Sequence, residues 1–324
     1  MEQDIQTWVK LSAFAGAGIA MGCGAIGAAI GEGYTAAQAN FAISRNPSIS
    51  GDVFKSMLVG QAIAESASIF ALVVAMILLF SNFSAESYVT VAVVFSAGIC
   101  MGLGAIGSGV GSGYPAGAAC IGMARQPSMS GRLMTNMLIG SAVCQTPSIF
   151  ALVTSFILLF TNFAGRPVSP TWAAILGAGL ASGLGAIGSG VGGGLVAETS
   201  CEGTARNPEM AGTVTNVMLL GQAVTQTTAI YGLLVSFILM FKQFPAADTI
   251  APAMALLGAG LCMGIGAIGP GVGEGFTARS AVQWIARRPL AIAELTRSML
   301  VGQAVAESTG IYSLVIALIL IFVI

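Results

Sequence analysis

The chain has no histidine and few charges, with 12 Lys and Arg and 13 Asp and Glu in 324 residues and a formal net charge of −1. Without histidine, Ser-His-Asp and Cys-His catalysis and the usual zinc ligand sets are excluded. Nothing else resembles a nucleophile beside a base, so an enzyme is not expected. A charge near zero gives no long-range attraction for nucleic acid. At 8% charged residues, against about 25% in ordinary soluble domains, the chain cannot cover a globule with polar surface. It is expected to be an integral membrane protein whose outer surface faces lipid. Disulfide and metal spacings are absent too. Cys23, Cys100, Cys120, Cys144, Cys201 and Cys262 lie in apolar or small-residue runs with no CxxC pattern, which reads as small buried hydrophobes. The first ten residues, MEQDIQTWVK, place two acids before the first base. That is the wrong sign for a signal peptide, so the first apolar run is expected to be a mature span.

What the sequence does have is repetition. Four glycine-rich segments align: GAGIAMGCGAIGAAIGEG from Gly16, SAGICMGLGAIGSGVGSG from Ser96, GAGLASGLGAIGSGVGGG from Gly177 and GAGLCMGIGAIGPGVGEG from Gly258, at offsets of 80, 81 and 81. Each leads to a short polar stretch with Arg-x-Pro, at Arg45-Asn46-Pro47, Arg125-Gln126-Pro127, Arg206-Asn207-Pro208 and Arg287-Arg288-Pro289. A second apolar run, rich in Leu, Ile and Phe, follows each loop. Every run exceeds the roughly 20 apolar residues that a spanning helix needs. The pattern predicts an all-α membrane protein of four tandem transmembrane hairpins, eight helices in all, with limits 1–84, 85–165, 166–247 and 248–324.

The glycine segments fit G-x-G-x-x-G, but no strand precedes them and all four sit inside lipid-length helices, so nucleotide binding is rejected. Close helix packing is the alternative, because glycines at spacings of two to four let neighbouring backbones approach. Thin glycine helices belong in a crowded inner layer and their bulkier partners outside against lipid. Orientation follows from the bases. Arg45, Lys55, Arg125, Arg132, Arg206, Arg279, Arg287, Arg288 and Arg297 lie at or beside the loops, against Lys10, Arg166 and Lys242 at the other end. Nine against three predicts cytoplasmic loops with both termini outside.

Four acids lie at membrane depth. Glu65 and Glu307 are in the second, bulkier helices of hairpins 1 and 4, where hairpins 2 and 3 carry Gln145 and Gln226. Glu32 and Glu274 are in the glycine helices of the same two hairpins, where the others have Ser112 and Gly193. A carboxylate at that depth costs at least about 2.5–3.5 kcal/mol, so it must be protonated or hold a cation. Glu198 and Glu202, nearer the loop end, are expected to be solvated or loop-facing.

These features together identify a resemblance. Over nearly its whole length the chain resembles four fused copies of the F-type ATP synthase c subunit, the rotor-ring proteolipid. The glycine ladder, the Arg-(Asn/Gln)-Pro loop and the run Gly302-Gln303-Ala304-Val305-Ala306-Glu307-Ser308-Thr309-Gly310-Ile311-Tyr312 all match. The resemblance implies a closed two-layer ring of several copies in a prokaryotic inner (cytoplasmic) membrane. The outer-helix carboxylates would carry ions past an arginine of the stator a subunit, and Arg45, Arg125, Arg206 and Arg287 would contact the central stalk. No cofactor is implied beyond the transported Na+ or H+.

For the ion, the resemblance implies the set used by sodium-binding relatives: Glu307, Ser308, the Val305 carbonyl, Glu274 and Tyr312 in hairpin 4. In hairpin 1 the corresponding set is Glu65, Ser66, the Ile63 carbonyl and Glu32, with Phe70 in place of Tyr. Oxygen-only coordination suits a hard cation, whereas a proton needs one carboxylate in an apolar pocket, so sodium is favoured.

The resemblance also implies that inner and outer groups of one site come from neighbouring hairpins. One hand pairs Glu32 with Gln145, Ser112 with Gln226, Gly193 with Glu307 and Glu274 with Glu65 of the following chain. The other pairs Glu65 with Ser112, Gln145 with Gly193, Gln226 with Glu274 and Glu307 with Glu32 of the following chain. Either way, one junction between chains would hold both carboxylates. With two outer acids in four hairpins, the expected ion-to-ATP ratio is about half that of one ion per hairpin, which suits ATP-driven pumping, or synthesis only at high ion-motive force. The competing expectations are a proteolipid of a vacuolar or archaeal-type rotary ATPase, and a non-rotary pore or scaffold.

Overall fold

The computed structural model describes residues 4–83, 87–163 and 165–323. The expected boundary at 84 falls among residues outside that set. Ten helices run in chain order: α1 (Ile5–Arg45), α2 (Ser50–Phe80), α3 (Val89–Arg125), α4 (Ser130–Cys144), α5 (Thr146–Phe160), α6 (Val168–Arg206), α7 (Ala211–Thr225), α8 (Thr227–Phe241), α9 (Ala251–Arg287) and α10 (Ile292–Phe322). With α4–α5 and α7–α8 each taken as one interrupted rod, eight helical segments among the described residues are long and apolar enough to cross a membrane. In lipid every backbone group must be satisfied within the chain, so these sequences stay helical although glycine interiors are poor helix formers in water.

The hairpin bends come from the Arg-x-Pro loops. Proline disfavours helical geometry in the residue before it, and Asn46 accordingly leaves the helix at φ −141, ψ 82, with Gln126, Asn207 and Arg288 alike. Pro47, Pro127, Pro208 and Pro289 then open short 3-10 turns, where a missing N–H does no harm. Asn46 and Asn207 also donate side-chain amides to Ala124 and Ala286 carbonyls of the next hairpin, at 3.4 and 3.3 Å. The four arginines closing the glycine helices are exposed at one end of the array, where their charge complements the helix C-termini. At the other end Lys242 Nζ donates to the Ile321 carbonyl at 3.0 Å, and Arg166 Nη1 to that of Met240.

The glycine helices stand side by side in the order α1, α3, α6, α9, and the bulkier helices fill the grooves between them. The spacing follows from missing side chains. A Cβ added at Gly27, Gly107 or Gly188 would fall on the carbonyl of Ile106, Ile187 or Ile268 in the next hairpin, one register used three times. Because backbones approach more closely in the glycine layer than in the Leu/Ile/Phe layer, the array curves with the glycine helices on the concave side. The exposed faces of the outer helices carry large apolar residues such as Ile69, Leu72, Met76, Ile316 and Ile319, as a lipid-facing layer requires. The expected two-layer arrangement is therefore present. Four of the six cysteines are buried and all are free thiols.

One expectation is corrected on the concave side. Glu198 is not solvated but 7% exposed. Tyr34 of hairpin 1 reaches across Gly117 of hairpin 2 to donate to its carboxylate at 2.8 Å, and Arg279 of hairpin 4 lies 3.3 Å from its other oxygen. A single-sequence reading places Glu198 near a loop; only the juxtaposition of three hairpins supplies its partners.

Candidate functional site

Halfway along the outer helices the four repeats place a polar side chain between hairpins. The framework is shared. Gln61, Ser141, Gln222 and Gln303 each donate to the carbonyl of the inner-helix residue of their own hairpin, Glu32, Ser112, Gly193 and Glu274, at 3.2, 3.3, 3.0 and 3.3 Å. Gln222 and Gln303 also bridge to the preceding hairpin, donating to Gly140 and Gly221 carbonyls at 3.0 Å each. These amides lock inner helix, outer helix and neighbouring hairpin into one register.

The variable groups sit on that framework. In the seam between hairpins 1 and 2, Gln145 Nε2 donates to Ser112 Oγ at 2.7 Å, to the Ile63 carbonyl at 3.0 Å and to the Ser108 carbonyl at 3.4 Å. In the seam between hairpins 2 and 3, Gln226 is 7% exposed with neither amide atom partnered. In the seam between hairpins 3 and 4, Tyr231 donates its hydroxyl to Glu307 Oε1. Glu274 lies within electrostatic range of Glu307, fully buried, with neither carboxyl oxygen hydrogen-bonded. Glu65 and Glu32 likewise interact with each other, but at an edge of the array that no hairpin covers: Glu65 is exposed and Glu32 partly so.

This geometry corrects the expected grouping. Inner and outer groups of one site belong to the same hairpin, as Gln145 on Ser112 shows, so neither cross-hairpin pairing holds. The groups shared with a neighbour are the serine, carbonyl and aromatic positions. Helix geometry explains why: at about 100° per residue, Val305, Ser308 and Tyr312 form one stripe at i, i+3 and i+7, and Glu307 sits roughly 200° round from Val305. One outer helix therefore cannot present the whole set to one site. Val305, Ser308 and Tyr312 lie on the uncovered edge of hairpin 4, with Val305 67% and Tyr312 66% exposed, and Ser308 Oγ donates to the Val305 carbonyl at 2.7 Å. Ser66 makes the same bond to Ile63 at 2.6 Å, and that carbonyl serves Gln145, not Glu65. Tyr231, not Tyr312, braces Glu307, and repeat spacing could have found it, since it lies 81 residues before Tyr312. Its companions are Thr227 and Val224, joined by the same back-bond at 2.8 Å.

The two amide seams also interrupt the outer helix. The helical ladder breaks at Gln145 and Gln226, while α2 and α10 run unbroken past Glu65 and Glu307. In hairpin 2, Pro147 supplies no N–H to the Val143 carbonyl four residues back. In hairpin 3, Thr225 and Thr227 both back-bond to the previous turn at 2.8 Å, which bends helices.

An all-helical, multi-pass membrane protein, with hairpins packed through glycine faces and an acid or amide in each seam, is thus a proteolipid built for lateral assembly. Sequence comparison agrees. The ATP synthase C-subunit family matches residues 15–78, 95–158, 176–239 and 257–320, and the chain belongs to that family as four tandem repeats. It is 62% identical over 68 residues, 21% of this chain and 71% of the relative, to the ATP synthase c subunit of Petrotoga mobilis. With the c subunit of Thermotoga petrophila the identity is 56% over 68 residues, 21% of this chain and 80% of the relative. A longer match, 31% identical over 225 residues, covers 69% of this chain and 94% of the A-type ATP synthase K subunit of Methanocaldococcus jannaschii. The chain is accordingly a non-catalytic, ring-forming rotor component of the c/K type.

Proposed function

We propose that hairpins 1 (1–84) and 4 (248–324) carry sodium on Glu65 and Glu307, and that hairpins 2 (85–165) and 3 (166–247) carry no ion. The observation that bears this reading is the contrast of seams. Gln145 fills its site with its own N–H donors, leaving neither charge nor vacancy for a cation. Glu307 faces a tyrosine hydroxyl and a second, fully buried carboxyl. Two carboxyls with hydroxyl and carbonyl oxygens nearby form an all-oxygen set suited to a hard cation. With Glu274 or Glu32 protonated, each site would hold one net negative charge, balanced by one Na+.

In this reading the ring turns as each outer carboxylate exchanges its ion at the stator arginine. The loops with Arg45, Arg125, Arg206 and Arg287 face the cytoplasm and meet the central stalk, and both chain termini lie outside. Half the hairpins carry ions, so fewer charges cross per ATP. Each charge crossing 100 mV represents about 2.3 kcal/mol, so a ring with fewer carriers drives each ion against a steeper potential, which favours ATP-driven pumping. The Arg-x-Pro loop in every repeat supports an F-type assignment. The long match to an A-type K subunit favours a second reading, an A- or V-type proteolipid; both make the same use of the carboxylates. The test is carbodiimide modification of Glu65 and Glu307 in intact rings across pH, with and without sodium. Protection of both by sodium is expected. Protection by raised pH alone would replace sodium with protons, and no modification of either would end the ion-carrier reading.

A further inference from the structure

The two amide seams are not alike. Between hairpins 1 and 2 the side chain of Gln145 is held by two hydroxyls: its Nε2 donates to Ser112 Oγ at 2.7 Å, and its Oε1 accepts from Ser148 Oγ at 3.2 Å. At the repeat offset of 81 both positions lose the hydroxyl, since Gly193 stands for Ser112 and Ala229 for Ser148. Gln226, the counterpart of Gln145, is accordingly buried with neither amide atom bonded to the protein. The framework bond is kept nonetheless: Gln222 Nε2 donates to the Gly193 carbonyl at 3.0 Å, as Ser141 Oγ donates to that of Ser112 at 3.3 Å. Gly193 therefore stands to the outer helix of hairpin 3 as Ser112 stands to that of hairpin 2, without the hydroxyl.

The missing side chain leaves room with polar walls. A Cβ at Gly192 or Gly194 would fall 2.1 or 2.3 Å from a carbonyl oxygen of a neighbouring hairpin. At Gly193 the nearest atoms would be Cys144 Sγ at 3.6 Å and Gln222 Nε2 and Thr225 Oγ1 at 3.7 Å, ordinary contact distances. Thr225 directly precedes Gln226, and Gln222 Oε1 is a third buried atom with no bond. On the side of hairpin 2, Val143 is the counterpart of Ile63, whose carbonyl serves Gln145. The Val143 carbonyl lacks a helical N–H because Pro147 follows four residues on. Buried polar atoms are costly unless bonded, and a roomy polar site satisfies them with an ordered water that has roughly two to four partners.

We infer that a water molecule is bound in the seam between hairpins 2 and 3, seated at Gly193 and hydrogen-bonded to the Gln226 amide, where Ser112 puts its hydroxyl in the seam before. It accepts from Gln226 Nε2 and donates to Gln222 Oε1 and the Val143 carbonyl. One amide seam is thus dry and the other wet. Water inserted beside the break between α7 and α8 also adds to the causes of that interruption, for which hairpin 2 has Pro147. The seat of the water follows from the seam geometry; that the ligand is neutral rests on the reading above that hairpin 3 carries no ion.

The test is a density map of rings assembled from the full chain, at a resolution that shows ordered water, prepared with and without sodium. A peak within hydrogen-bond distance of the Gln226 amide, equal in both maps, is expected. No peak there would overturn the water and leave the reading of hairpin 3 untouched. A peak that appears only with sodium would overturn both. Gly193→Ser gives an independent check: its hydroxyl should displace the peak and raise the midpoint of thermal ring dissociation by a few degrees, and the rise should vanish in a Gln226→Leu background. A peak unmoved by the substitution, or an equal rise in the Gln226→Leu background, would overturn the seat at Gly193.

Discussion

The seam between hairpins 1 and 2 and the seam between hairpins 3 and 4 occupy the same place in the repeat and differ in the polar groups they set there. In the first, an amide donates to the serine hydroxyl and carbonyl that surround it. In the second, a carboxylate accepts from a tyrosine, with a second buried carboxyl close by. An amide brings its own hydrogens and is self-sufficient; a carboxyl must borrow a proton or a cation. The framework amides Gln222 and Gln303 bridge to the preceding hairpin alike, whether the seam holds an amide, as between hairpins 2 and 3, or an acid, as between hairpins 3 and 4. Ring architecture and ion carriage are therefore separable, and a seam can lose its acid without losing its packing.

The sharpest way to break this comparison is to convert the acid seams. Glu65→Gln with Glu307→Gln is expected to abolish carbodiimide-sensitive, ion-coupled ATPase activity while rings still assemble; retained coupling would support a scaffold without a rotor role. The reverse conversion, Gln145→Glu, should create a third position modified by carbodiimide, because Ser112 and the Ile63 carbonyl already surround the site. A smaller effect separates the two amide seams. Gln145→Leu removes the amide that donates to Ser112 Oγ and the Ile63 carbonyl, although Ser112 keeps its bond to the Ser108 carbonyl, and should lower resistance of the ring to thermal dissociation by about 1–1.5 kcal/mol. Gln226→Leu removes an amide with no protein partner and should be neutral or slightly stabilising. Arg279→Gln should cost less than about 1 kcal/mol in the same assay, since Arg279 is 40% exposed and Glu198 keeps its bond to Tyr34.

The hairpins were legible because their cause is local and repeated. Apolar length forces the helices, Arg-x-Pro ends them, and the glycine ladder at offsets of 80 and 81 fixes which faces approach. The acids were legible because a carboxyl in lipid is costly wherever it lies. How side chains are grouped into sites was not. Val305, Ser308 and Tyr312 are close to Glu307 in sequence but lie on another flank of α10, and the flank that meets hairpin 3 is decided by packing. The breaks at Gln145 and Gln226 needed the structure as well: Pro147 signals the first, but nothing so strong marks the second. The Tyr34–Glu198 contact joins residues 164 positions apart, beyond any local pattern.

That contact also bears on why the hairpins are one polypeptide. At the station occupied by Glu198, the other three repeats carry Ala37, Gly117 and Arg279. Tyr34 needs a glycine beside it to lie across and an acid beyond that, and the acid needs its base one place further on. A ring of separate, identical hairpins would put the same residue at every station and could not make such a chain of unlike neighbours. Covalent fusion gives each hairpin an address, and with it the freedom to differentiate: one glycine clears the path, one acid receives, one base balances.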